Sequence, residues 1–160
     1  MTSTLFALLF ATVAAAQQPI SGDVLSPVAV KTDLYPSDAD AKKEIAGALE
    51  KAAAEKKRVI LIFGGNWCYD CHVLDQALHE GEAGNIVKQS YLLVHVDIGE
   101  GDKNLDLVKK YHIPIEKGVP ALAVLKSDGE LIYWSGVGEF EAARSMTKSA
   151  LVAFLKHWKG

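Results

Sequence analysis

The sequence predicts a single α/β domain in which a central mixed β-sheet carries helices on both faces. Three observations lead there. Residues 59–63, Val-Ile-Leu-Ile-Phe, are continuously apolar rather than alternating, as a strand covered on both faces requires. Helix-like and strand-like stretches follow one another along the chain, the order of an α/β protein. Near the end, Ser127-Asp128-Gly129 is a turn signal between two strand-like runs, which makes the last two strands an antiparallel hairpin. With 160 residues, 49% of them apolar, the chain can fill one core, and the domain is expected over residues 36–160.

Residues 5–16 are an uncharged apolar run ending in Ala14-Ala15-Ala16, the small-x-small pattern that a signal peptidase accepts before Gln17. Residues 1–16 therefore read as a signal peptide, in which the terminal amine alone supplies the positive charge. The run is too short to span a bilayer, and no later segment is long and apolar enough to do so. The expectation is an exported protein, periplasmic or secreted. Residues 17–35, rich in Pro, Ser, Gly and Asp with an extended patch at 28–30, form an N-terminal extension, read either as an arm leading into the domain or as a flexible linker.

Ser37 and Asp40 have the spacing of a capping box, and the Ala-rich stretch that follows, with Ile45 and Leu49 four apart, predicts a helix to Lys57. Residues 58–65 form the central strand and residues 71–88 a helix. Residues 91–98 read as a second strand, 104–111 as a short helix, and 114–120 as a loop with proline at each end. The hairpin strands are 121–125 and 130–134, and a helix over 145–158 closes the chain. The net charge of −3 comes from interspersed acids and bases with no basic, aromatic-laced face, which excludes nucleic acid as a partner.

Chemistry concentrates at Trp67-Cys68-Tyr69-Asp70-Cys71, which contains the only two cysteines in the chain. Their C-x-x-C spacing puts two thiols within disulfide reach between a strand and a helix. Cys68 then falls at a helix N-terminus, where unpaired backbone N–H groups and the helix dipole favour its thiolate, the attacking species in exchange. A disulfide across two intervening residues closes too small a loop to stabilise much, so redox use explains the spacing better than a structural staple.

In this setting the chain resembles the thioredoxin superfamily, and most of all the thioredoxin-like proteins of bacterial envelopes. The resemblance rests on Trp67 and the two cysteines after a buried strand, on Gly118-Val119-Pro120 before the hairpin, and on Ser127-Asp128-Gly129-Glu130 within it. It spans roughly residues 37–158 and implies a thioredoxin-like fold and a thiol–disulfide oxidoreductase. It further implies that Cys68 is the nucleophile and Cys71 the more buried resolving thiol. Pro120 would be the cis-proline, leaving the Val119 backbone free to pair with an extended substrate, and Trp67 would shield the thiols and help dock the substrate.

Two departures from the family pattern affect the chemistry. The acid usually buried on the strand before the motif is absent, with Ile62 about where it would fall. Asp70 instead lies between the cysteines, where its charge should oppose a thiolate and favour a reducing pair, while a protonated His72 would do the opposite. The expected function is reduction of disulfides in exported proteins through a mixed disulfide. No prosthetic group or metal is required. The expected partners are disulfide-containing proteins and an upstream redox partner, and the protein is expected to act as a monomer.

Other chemistries compete for the same residues. Cys68-Tyr69-Asp70-Cys71-His72 also spells C-x-x-C-H, the attachment signature of c-type haem, but the motif enters a helix and Gly118-Val119-Pro120 has no role in that reading. Cys68, Cys71 and His72, with Asp75 and His79 continuing one helical face, are possible metal ligands, although a second ligand cluster is missing. A non-catalytic thioredoxin-like binding module is the third alternative, and the survival of both cysteines argues against it.

Overall fold

Strand β1 (Arg58–Gly64) runs through the middle of the molecule, and residues 59–63 are fully buried. Its side chains alternate between two separate cores. Ile60 and Ile62 pack on one side with Val73, Leu74, Leu78, Leu151 and Leu155, whereas Val59, Leu61 and Phe63 pack on the other with Ile45, Ala52, Leu107 and Tyr111. Burying such a side chain is worth about 1.5–3 kcal/mol relative to leaving it in water, so a strand apolar on both faces is stable only between two helical layers.

The coordinates are a computed structural model describing residues 22–160. Residues 1–16, expected to be a signal peptide, and the first residues of the extension, 17–21, lie outside the described residues. Helix α1 (Ala41–Glu55) leads into β1, and helices α2 (Tyr69–His79) and α3 (Gly81–Ser90) follow it. Strand β2 (Tyr91–Asp97), helix α4 (Leu105–Lys110), strands β3 (Ala121–Leu125) and β4 (Leu131–Trp134), and helix α5 (Lys148–Trp158) complete the order. Among the described residues the sheet order is β2-β1-β3-β4. β1 and β2 are parallel, and β1–β3 and β3–β4 are antiparallel, so the sheet is mixed as expected. Helices α2, α3 and α5 contribute to one core and α1 and α4 to the other. No helix among the described residues is long and apolar enough to cross a membrane.

Three details differ from the sequence reading. The helix expected over 71–88 is two helices, broken where Glu80 turns extended (φ −116°, ψ 156°) and Gly81 takes φ +55°, a conformation that glycine adopts at little cost. Helix α1 is capped by Asp40, whose carboxylate accepts the Lys43 N–H, so the helix starts at Ala41 rather than after Ser37. Over residues 145–158 only Lys148–Trp158 is α-helical, with Thr147 as its cap and a 3-10 turn at Ala143–Ser145 before it.

The described part of the extension is docked rather than loose. Leu25 and Tyr35 are buried, and Leu25 N–H donates to Met146 O at 3.0 Å. Val24 bridges to Thr147. The patch at 28–30 forms no sheet ladder; Val28 N–H donates to Tyr69 Oη, and the N–H of Lys31 just after the patch to His72 Nδ1, each at 3.3 Å.

Candidate active site

Cys68 is the N-cap of α2, and its sulfur accepts the Cys71 N–H at 3.1 Å. The two cysteines are joined in a disulfide with Cα atoms 5.3 Å apart. Their burial is graded, with Cys68 5% exposed and Cys71 0%. The sulfur nearer solvent is thus also the one at the positive end of the helix, where a thiolate is favoured.

The peptide bond Val119–Pro120 is cis. Val119 O lies 3.4 Å from Cys68 Sγ, and Val119 packs against the cluster of Tyr35, Cys68 and Cys71. Trp67 is 56% exposed and held in place, because its indole Nε1–H donates to Gly99 O at 2.8 Å. Its ring lies against Gly65, where a Cβ would come within 2.6 Å of Nε1. The structure therefore brings Trp67, Cys68, Cys71, Val119 and Pro120 to one end of the sheet.

Asp70 and His72 occupy environments that the sequence did not reveal. The Asp70 carboxylate does not stand bare between the cysteines: Arg144, in the turn before α5, clasps it through Nε (3.1 and 3.0 Å), through Nη2 and through its backbone N–H (2.7 Å). Burial alone would push the Asp70 carboxyl up, but Arg144 outweighs that and holds it below the usual carboxylate range. The opposition to a thiolate expected from Asp70 is therefore largely cancelled by a neighbouring cation.

His72 is 2% exposed. Its Nε2 pairs with Asn66 O at 2.8 Å, and its Nδ1 accepts the Lys31 N–H at 3.3 Å. That pattern assigns the neutral Nε2–H tautomer, so the ring supplies no cation to the thiols and no free nitrogen to a haem iron. Asp75 and His79 do lie together on α2, yet among the described residues no group of three or more His, Cys, Asp or Glu is placed to hold a metal ion.

Three further residues shape the site and were not singled out in the sequence: Tyr35, Asn66 and Arg144. Asn66 clasps the Tyr35 backbone, its Oδ1 accepting the Tyr35 N–H at 2.9 Å and its Nδ2 donating to Tyr35 O at 2.8 Å. Lower on α2, the carboxylate of Asp75, 2% exposed, takes Lys31 Nζ at 2.8 Å with His95 Nε2 at 3.2 Å and His79 Nδ1 at 3.4 Å. Burial opposes its charge, but the His95, Lys31 and His79 side chains gathered around it prevail, holding its carboxyl at about 2. A polar residue in a proline-rich arm is a weak signal, and nothing local to Asn66 or Arg144 points to its partner.

A cysteine pair capping a helix, beside a cis-proline in this sheet order, defines a thiol–disulfide oxidoreductase with a thioredoxin-like fold. The thioredoxin-like family model matches residues 40–127, and the chain belongs to that family. Among solved structures it is similar to a disulphide isomerase from Xylella fastidiosa Temecula1, at 34% identity and a TM-score of 0.73, over 78% of this chain and 95% of that one. A DsbH oxidoreductase (23% identity, 91% of this chain and 93% of that one, TM-score 0.52) shares the fold. So does the reduced DsbD C-terminal domain of Neisseria meningitidis (19% identity, 72% and 95%, TM-score 0.53). Curated proteins give no match.

Proposed function

We propose that this protein reduces disulfide bonds in exported proteins. The Cys68 thiolate attacks one sulfur of a substrate disulfide, expelling the other as a thiolate and forming a mixed disulfide. Cys71 then attacks the Cys68 sulfur, the substrate leaves as a dithiol, and the protein is left as the Cys68–Cys71 disulfide. A partner dithiol restores it. The two sulfurs carry both electrons, so the reading requires no prosthetic group. An extended substrate strand pairs with the Val119 backbone next to Pro120 while Trp67 covers the exchanging sulfurs.

The reducing direction is supported by one observation: among the described residues, the two cationic candidates next to the C-x-x-C segment, Arg144 and His72, are engaged elsewhere. Tyr69 and Asp70 separate them, Arg144 is committed to Asp70, and both His72 nitrogens are engaged by backbone groups. The helix N-terminus is then the main stabiliser of a Cys68 thiolate, which leaves the disulfide comparatively favoured and the dithiol a good reductant. Export is supported by the apolar run at residues 5–16 with its Ala14-Ala15-Ala16 end.

Equilibration with glutathione buffers tests the direction. A potential near the thioredoxin value of about −270 mV supports a reductase, and one near the strong periplasmic oxidant's value of about −120 mV defeats it. In an insulin-reduction assay Cys68→Ser abolishes activity, and Cys71→Ser accumulates the mixed disulfide. Full activity in Cys68→Ser rules the mechanism out.

A further inference from the structure

The Tyr35 phenol is a buried polar group that the exchange cycle above leaves without a task. Tyr35 is 1% exposed, and its Oη has no hydrogen-bond partner among the described residues. Leaving a buried hydroxyl unpaired is costly, so an orphan of this kind asks for a partner absent from the disulfide state. The position of the hydroxyl is closely defined. Asn66 holds the Tyr35 backbone at both its N–H and its C=O, and the His95 ring packs edge-on against the phenol with centroids 5.1 Å apart.

Gly64 shows what Oη faces. A Cβ at that position would lie 2.5 Å from Cys71 Sγ and 2.6 Å from Tyr35 Oη, so sulfur and hydroxyl border the same small space, kept open by glycine. Tyr35, Cys68 and Cys71 also form one buried cluster. No acidic side chain lies on β1, where Ile62 points into a hydrophobic core. A Cys71 thiolate would thus form at a fully buried sulfur, where desolvation opposes it.

We infer that Tyr35 is a catalytic hydrogen-bond donor to Cys71, its hydroxyl turning to the sulfur when the disulfide opens and stabilising the thiolate that resolves the mixed disulfide. This rests on the assignment of Cys71 as the resolving thiol and adds the group that makes it reactive. In the step, Cys71–SH loses its proton, its sulfur bonds to Cys68 Sγ, and the bond from Cys68 to the substrate sulfur breaks. The departing substrate thiolate takes up one proton, so the step neither gains nor loses a proton, and over the two attacks the substrate disulfide has gained two electrons. Tyr35 keeps its own proton throughout. Burial pushes its phenol well above the ordinary range, with the charges of Asp75 and Asp97 adding to the effect, so the group is a donor and not a base.

Reaction of the reduced full-length protein with a chromogenic aryl disulfide separates the steps, because attack by Cys68 releases the first aryl thiolate and attack by Cys71 the second. A hydrogen bond to a charged group supports a pKa difference of about one to two units. Partly offset by the higher nucleophilicity of a more basic thiolate, that slows the second phase in Tyr35→Phe by about three- to twelvefold below its midpoint. The first phase stays unchanged, and the pH midpoint of the second rises by about one to two units. A second phase unaltered in rate and midpoint overturns the inference, as does equal slowing of both phases. A wild-type protein with a first phase but no second instead overturns the assignment of Cys71. In the reduced wild type the Tyr35 ring-carbon chemical shift must also follow the Cys71 titration. A shift insensitive to it refutes the donor role, whether or not Tyr35→Phe folds.

Discussion

Replacing Asp75 with Asn removes the one carboxylate that holds Lys31, His79 and His95 together against α2. The ordinary aspartate value of 3.8 falls to about 2 in the folded protein. At 1.36 kcal/mol per unit the native ionised Asp75 contributes about 2 kcal/mol. Because the folded value is the lower one, the unfolded chain binds the proton more readily and stability rises with pH. The contribution is complete above about pH 5 and disappears as the pH falls through the ordinary value toward about 2. Urea unfolding of wild type and Asp75→Asn, followed from neutral to about pH 2, measures this directly. The variant should be less stable by about 2 kcal/mol near pH 5, and the two curves should converge in acid. Curves that stay parallel across the acid range would refute the reasoning, because the carboxylate would then contribute the same whether charged or not.

The other perturbations address the cysteine site. Arg144→Ala frees the Asp70 charge beside Cys68, so the thiol pKa should rise and the reduction potential become more negative, with Asp70→Asn in the same chain reversing both; ultraviolet thiolate absorbance and glutathione equilibration report them. Asn66→Ala leaves the buried Tyr35 N–H and C=O unpaired at a cost of roughly 2 kcal/mol or more, with faster amide exchange over residues 31–35. Gly64→Ala places a methyl against both Cys71 Sγ and Tyr35 Oη, and a thermal-unfolding loss of about 1–3 kcal/mol is expected.

What could be read from residues 59–63 and 67–71 was local chemistry. An unbroken apolar run has one stable environment, and two cysteines three apart at a helix start have a short list of uses. The hairpin around Ser127-Asp128-Gly129 was legible for the same reason, since turn chemistry acts over a few residues. The break between α2 and α3 was not, because Gly81 sits in a stretch whose periodicity continues on both sides. Nor was the electrostatic setting of the cysteines. Asp70 and Arg144 are 74 positions apart, and His72 and Lys31 are 41, so the charge seen by the thiols depends on tertiary contacts that no spacing rule encodes.

The docked arm separates the part of the chain that carries recognisable motifs from the part that builds the site. Residues 22–35 are fastened at one end to the start of α5, where Asp23 O accepts the Lys148 N–H and Asp23 Oδ2 the Ser149 hydroxyl, and at the other to Asn66. The matched family segment, residues 40–127, includes both cysteines and Pro120 but omits Tyr35, Arg144 and all of α5. A chain trimmed to that segment would keep Trp67, both cysteines and Gly118-Val119-Pro120, the motifs nearest the sulfurs. It would lack the wall behind Cys71, the cation beside Asp70 and the helix that supplies Leu151 and Leu155 to one of the two cores.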